Sequence, residues 1–199
     1  MSSVSTETEQ LILSKSKEFF FTQGRIKAST QEIADFVGIQ RTSVNYYFRS
    51  KLNLLRLTYA EVIKELKIGL KTIYSQNDND FEQKVSCLID FMYDFKQKYP
   101  YLDVYDIIKT NNMLDDFKYN KITVTEGLNQ FLEEIKEQMD SGRIQKSNPV
   151  NFLFNIYSLV SYPLLMRGIY KDVFALSDDE FEELLVERKS VIKDLIFNK

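Results

Sequence analysis

An all-α fold is predicted by three observations. Apolar residues recur at helical spacing from segment to segment, no stretch shows the alternation of a half-buried strand, and Gly38 punctuates two short helical patterns near the N-terminus. With 199 residues, 44% apolar and 28% charged, the chain is globular and long enough for a sizeable core. About nine helices are expected. Three form an N-terminal domain over residues 1–52, and the rest form a helical domain over residues 53–199.

Thr30 to Lys51 reads as a helix-turn-helix. Ala34, Gly38 and Val44 fall where two crossing helices touch and the turn between them needs a glycine-like conformation. Ile33, Val37, Ile39 and Val44 form the expected buried seam. Thr30 is placed as the cap of the first helix, with Glu32 favoured in its first turn. After Gly38 only Val44 and Phe48 make an apolar stripe, which leaves Arg41, Thr42, Ser43, Asn45 and Tyr47, with Tyr46 beside them, on the remaining face. Arginine can read guanine in the major groove, small hydroxyls can reach bases or phosphates, and Asn and Tyr can position the backbone. Lys51 opens the next helix, where a cation and the helix dipole together suit a phosphate.

Beyond the turn, residues 50–75 carry Leu54, Leu55, Tyr59, Val62, Leu66 and Leu70 on one side of a long helix, ended by Gln76 to Asn79. A helix from about Asp80 to Lys98 stops before Pro100 and carries Cys87, expected as a buried thiol. Tyr101 to about Asn111 is a short helix. A stretch from Asp115 continues into Val124–Met139 and ends at Ser141-Gly142. Asn148-Pro149 opens a helix to about Tyr170, kinked by Pro163, and Ser177 with three following acids opens the last.

Composition closes several function classes. Without histidine and with a single cysteine, the chain has no disulfide framework, no Cys/His zinc site and no Ser/His or Cys/His catalysis. Its adjacent acids, such as Asp115-Asp116 and Glu133-Glu134, lie on solvent faces and point apart, so no enzyme, metal or cofactor is expected. Residues 1–58 hold eight Lys and Arg against five acids, a net of +3, so the remaining residues carry −6 of the total −3. That segregation directs the basic end toward phosphate. Met1 to Glu9 lacks the basic and apolar regions of a signal peptide, and Phe152–Ile169 is too interrupted to span a membrane. A cytoplasmic protein is expected.

The N-terminal segment resembles the DNA-binding domain of TetR-family transcriptional regulators. The resemblance runs from a helix holding Ile12, Phe19 and Phe20 through Gly24, Thr30, Ile33-Ala34, Gly38-Ile39 and Tyr46-Tyr47-Phe48 to Ser50-Lys51 and Leu54. It implies a three-helix DNA-binding head, an all-helical ligand and dimerisation body, and a homodimer that usually represses transcription. Two recognition helices would then enter successive major grooves of a near-palindromic operator about 34 to 36 Å apart. The bases would be read by Arg41, Thr42 and Ser43, and the phosphates held by Thr30, Tyr46, Tyr47 and Lys51. This chain departs from the family in having Gln40, Thr42 and Asn45; where the family has a phosphate-binding tyrosine, Asn45 can donate with shorter reach.

The resemblance assigns the last two helices to dimerisation. Phe152, Ile156, Leu159, Val160, Leu164 and Ile169, with Phe181, Leu184, Leu185, Ile192 and Leu195, offer apolar surface for it, or simply cover a larger core. Aromatics of the middle helices, among them Phe91, Phe95, Tyr105, Phe117 and Phe131, with Tyr157 from the later helix, suit an apolar or flat effector pocket or a hydrophobic core equally. The competing class is a helical protein-interaction module, or a ligand-independent regulator, that retains the helix-turn-helix.

Overall fold

The computed structural model describes residues 2–76, 80–110 and 126–197, with side chains from Glu7 onward. Among the described residues there are ten α-helices and no strand. Packing divides the chain into two compact units. The first takes the described residues of Met1–Leu66 and Lys98–Asn120, the second those of Lys67–Gln97 and Lys121–Lys199.

In the first unit, α1 (Ser2–Lys17) widens into a π-helical turn, Glu18–Thr22, in which Phe19, Phe20 and Phe21 are all buried. Three successive residues cannot share one face of a helix, so the turn must be covered from several sides. Phe19 packs on Phe36, and Phe21 packs on Tyr59 and Tyr105. Next come α2 (Thr30–Val37) and α3 (Arg41–Phe48), joined at Gly38. The unit is completed by the first part of α4 (Lys51–Tyr74), the last residue of α5 (Phe81–Lys98) and α6 (Leu102–Thr110). Glu65 on α4 gathers it: its carboxylate takes Lys98 and the Tyr99 hydroxyl, at 2.8 Å, and lies 3.8 Å from Lys17. Burial and this carboxylate push the Tyr99 hydroxyl up to about 12.

The second unit holds the rest of α4 and α5 with α7 (Leu128–Asp140), α8 (Pro149–Leu165), α9 (Arg167–Phe174) and α10 (Asp178–Phe197). Its core is aromatic, with Tyr74 stacked on Phe131 at 5.1 Å and Phe81 between Phe131 and Phe152. Lys84 is buried there, paired with Glu134 and lying 5.5 Å over the Phe131 ring. Cys87 is half-buried rather than buried. The α5 stripe runs through Val85, Leu88, Ile89 and Met92, and position 87 falls on its flank.

The helix expected from Asn148 to Tyr170 is two helices. Asn148 caps α8 through Val150 N at 2.9 Å and Pro149 occupies the first turn, but the chain turns by 67° between α8 and α9, which accounts for ten helices against nine. Pro163 has no N–H for the Leu159 carbonyl, and Arg188 Nε donates to that carbonyl instead at 3.0 Å. The bend comes at Met166, just past the proline. Of the apolar residues assigned to dimerisation, Phe152, Ile156, Val160, Phe181, Leu185 and Ile192 are buried within the chain. Ile169, Leu184 and Leu195 of that set are exposed, and beside them the exposed apolar surface takes in Phe154 and Tyr162 on α8 and Val173 and Phe174 on α9. A single helix presents one face to its own core, so its other face is the one left open. Among the described residues no single helix is long and apolar enough to cross a membrane.

Candidate nucleic-acid interface

The helix-turn-helix is built by two local devices. At its start, Ser29 rather than Thr30 is the cap of α2: Glu32 N donates to Ser29 Oγ at 3.2 Å while Ser29 N donates to Glu32 Oε2 at 2.8 Å. Reciprocal bonding needs a Ser or Thr three residues before a Glu, and Ser29-Thr30-Gln31-Glu32 meets that spacing from Ser29, so the signal was present one residue earlier. Thr30 is the first helical residue and half-buried. The bonds from Ser29, with the Arg25 guanidinium at 2.9 Å, hold the Glu32 carboxyl below its usual range. At the turn, Gly38 has φ +81° and its N–H reaches Ala34 O at 2.9 Å. A Cβ there would meet nothing within 4 Å, so glycine is required by conformation alone.

Ile33, Ala34, Val44 and Phe48 are completely buried, whereas Val37 and Ile39 of the expected seam are only half-buried. With Val44 and Phe48 facing inward, α3 turns Arg41, Thr42, Asn45 and Tyr46 to solvent; Ser43 and Tyr47 are half-buried on its flanks. Tyr46 is 79% exposed and meets Tyr47 edge to face at 5.0 Å. Thr42 Oγ1 lies 3.4 Å from Gln40 Oε1, so the residue before the helix steadies the first turn.

Past α3, Arg49 adopts φ +63°, a left-handed conformation rare for a side chain of this size, and no sequence signal marked it. It brings the chain around so that Ser50 Oγ accepts from Asn53 N at 3.1 Å and Asn53 Nδ2 donates to Phe48 O at 3.1 Å, fixing α4 against the end of α3. Lys51 sits in the first turn of α4, and its Nζ donates to Ile26 O at 3.3 Å. That bond uses one of three ammonium protons and ties α4 to the turn preceding α2.

The residues expected to line an effector pocket separate. Tyr105 belongs to the first unit, buried against Phe21 and, at 4.9 Å, Tyr59. Phe131 and Tyr157 share the second unit's core through Tyr74, which stacks on one and shares a short hydroxyl contact with the other. Phe91 and Phe95 pair at 5.9 Å, and Phe91 covers Gly69, where a Cβ would fall 2.1 Å from the ring. Phe117 lies outside the described residues. Burial raises the hydroxyl pKa of Tyr74 and of Tyr157, so both stay protonated.

Residues 12–58, which include every element of this geometry from the end of α1 to the start of α4, match the family model of bacterial regulatory proteins, tetR family. The head belongs to the TetR family. The whole TetR-like fold has counterparts among solved structures. A TetR family transcription regulator from Marinobacter aquaeolei VT8 aligns over 100% of both chains with a TM-score of 0.58 and 13% identity. One from Haemophilus influenzae Rd aligns over 94% of this chain and 97% of its own, at 0.56 and 13%. No curated protein matches the chain. The TetR family head and the all-helical fold support DNA-binding transcriptional regulation.

Proposed function

We propose that the chain is a homodimeric, cytoplasmic repressor that leaves its operator when a small molecule binds. Residues 1–52 would bind DNA, and residues 53–199 would dimerise and take the effector. The observation that carries this reading is the outward face of α3: Arg41, Thr42, Asn45 and Tyr46 are exposed together on a helix anchored by Val44 and Phe48. In the major groove, Arg41, Thr42 and Ser43 would meet base edges at the N-terminal end of the recognition helix, the end that enters deepest. Asn45, Tyr46, Tyr47 and Thr30 would lie along the phosphates. Lys51 can keep its bond to Ile26 O and still offer two protons to a phosphate.

Dimerisation is supported by the exposed apolar residues of α8 and α10, including Phe154, Tyr162, Leu184 and Leu195. A basic end whose net charge over residues 1–58 is only +3 gains most from a second copy, because two heads double the phosphates contacted. An apolar or flat effector would bind the body among aromatics such as Phe91, Phe95, Phe131 and Tyr157, and lower DNA affinity by its preference for the non-binding state, about 1 to 3 kcal/mol. The test is selection of bound DNA from a random pool. Recovery of a near-palindrome with half-sites one helical turn apart supports the reading, and recovery of no preferred sequence contradicts it.

A further inference from the structure

We infer that the first unit carries a ligand groove of its own, between the Gly24–Ala28 turn and α6, suited to a flat or apolar small molecule bearing one negative charge. The groove encloses about 680 Å³, within the usual range for small-molecule sites, and all its lining residues belong to the first unit. Its apolar wall is formed by Ile26 on the turn and by Tyr101, Val104 and Ile108. Tyr101 is 42% exposed although its backbone is fixed, with its N–H on Phe21 O at 3.1 Å. Its ring lies directly on Gly24, at φ +71°, where a Cβ would come within 2.7 Å of the ring atoms. The glycine therefore lets an aromatic plate lie flat at the groove's edge with one face open.

Charge decides what such a groove would take. Three residues charged at neutral pH line it: Arg25, Lys27 and Glu32. Glu32 is already satisfied, with Arg25 on Oε1 and the Ser29 N–H on Oε2, so Arg25 and Glu32 cancel. Lys27 is exposed and has no ion-pair partner among the described residues, and it remains as the one uncompensated charge of the groove. An aromatic plate, an aliphatic wall and a single cation together select a carboxylate or sulfonate on an apolar body.

The same turn is tied to the helices on either side of the recognition helix, since Ile26 O holds Lys51 of α4 and Ala28 leads directly into the Ser29 cap of α2. A ligand seated here would act on both ties. That regulatory consequence rests on the DNA-binding reading, whereas binding itself does not.

The experiment titrates the full chain, without DNA, with 1-anilinonaphthalene-8-sulfonate, a flat apolar anion whose emission rises on leaving water. A saturable site is expected whose affinity falls at least tenfold in Lys27→Glu and in Ile108→Asn, which removes apolar wall without adding charge, with melting temperatures near that of the unsubstituted chain. N-phenyl-1-naphthylamine, the uncharged analogue, should bind at least tenfold more weakly and be indifferent to Lys27→Glu. Unchanged affinity in Lys27→Glu overturns the anion assignment, and unchanged affinity in both variants overturns the groove. Failure on either count leaves the DNA-binding reading untouched, because no DNA enters the measurement.

Discussion

Two helices of equal length, α3 and α9, are built in opposite ways. Each has eight residues. In α3, Val44 and Phe48 are wholly buried and the outward face carries Arg41, Thr42, Asn45 and Tyr46. No residue of α9 is buried; Ile169, Val173 and Phe174 are more than half exposed. Its anchors are mainly ionic, with Lys171 Nζ and Arg167 Nη2 on Asp178 Oδ1 at 2.8 and 2.9 Å and the Arg167 guanidinium over the Phe181 ring, and Tyr170 meets Tyr162 edge to face at 6.2 Å. The contrast separates two kinds of surface. A helix held by its apolar side is free to show hydrogen-bonding groups to DNA, while one held by charges is left showing apolar groups, which suit another protein surface.

The largest break in this comparison comes from the anchors. Phe48→Ala should destabilise the head by about 3 to 5 kcal/mol, the cost of emptying a fully buried aromatic site, read as a lower denaturation midpoint. Phe174→Ser on α9 should move that midpoint by less than about 0.5 kcal/mol. If both cost the same, the two helices are not anchored differently.

Next in size is the outward face of α3. Arg41→Ala should lose about 1 to 3 kcal/mol of discrimination at one operator position, with thermal stability unchanged, whereas Lys51→Ala should weaken binding to all sequences alike. Binding curves on an operator and its single-base variants separate the two patterns. Gly38→Ala should cost about 1 to 2 kcal/mol through its left-handed φ, since a methyl there meets no neighbour, and a smaller loss would mean that the turn can relax.

The smallest effect is acidic and local to α9. The side-chain bonds from Lys171 and Arg167 hold the Asp178 carboxyl below its ordinary value of 3.8. A depressed carboxyl stabilises the fold above its unfolded pKa and loses that contribution as pH falls through the folded value. Amide exchange in α9 should therefore quicken as pH is lowered below about 3.8 relative to the intrinsic rate, and Asp178→Asn should abolish that pH dependence.

What was legible in the chain follows from how locally each feature is encoded. Helix periodicity, the Gly38 turn, the Asn148-Pro149 start and the Ser177 cap all depend on residues within one or two turns, and each is found where the sequence places it. Two features needed information from farther away. The Leu159 carbonyl freed by Pro163 is taken by Arg188, which is remote in sequence, and α8 runs on past the proline to break only at Met166. The division of α8 and α10 into buried and exposed faces depends on which neighbours each helix meets; the apolar stripe named for dimerisation includes Phe152, which is buried, and omits Phe154, which is 62% exposed. At the interface, the polar face of α3 was readable because Val44 and Phe48 define its inverse, whereas the left-handed Arg49 and the Lys51 bond to Ile26 left no local trace. The aromatic residues were readable only as a class, and packing distributes them between two units.

The central claim is that the outward face of α3 neutralises phosphates and reads bases. Its most direct test is a titration of the selected operator, and of a shuffled duplex, between about 50 and 200 mM salt, a range over which phosphate contacts weaken steeply. The expected result is a logarithmic affinity that falls linearly with the logarithm of salt, by about 0.9 for each phosphate contacted, with the operator preferred at every concentration. Affinity indifferent to salt, or equal for operator and shuffled DNA, contradicts it.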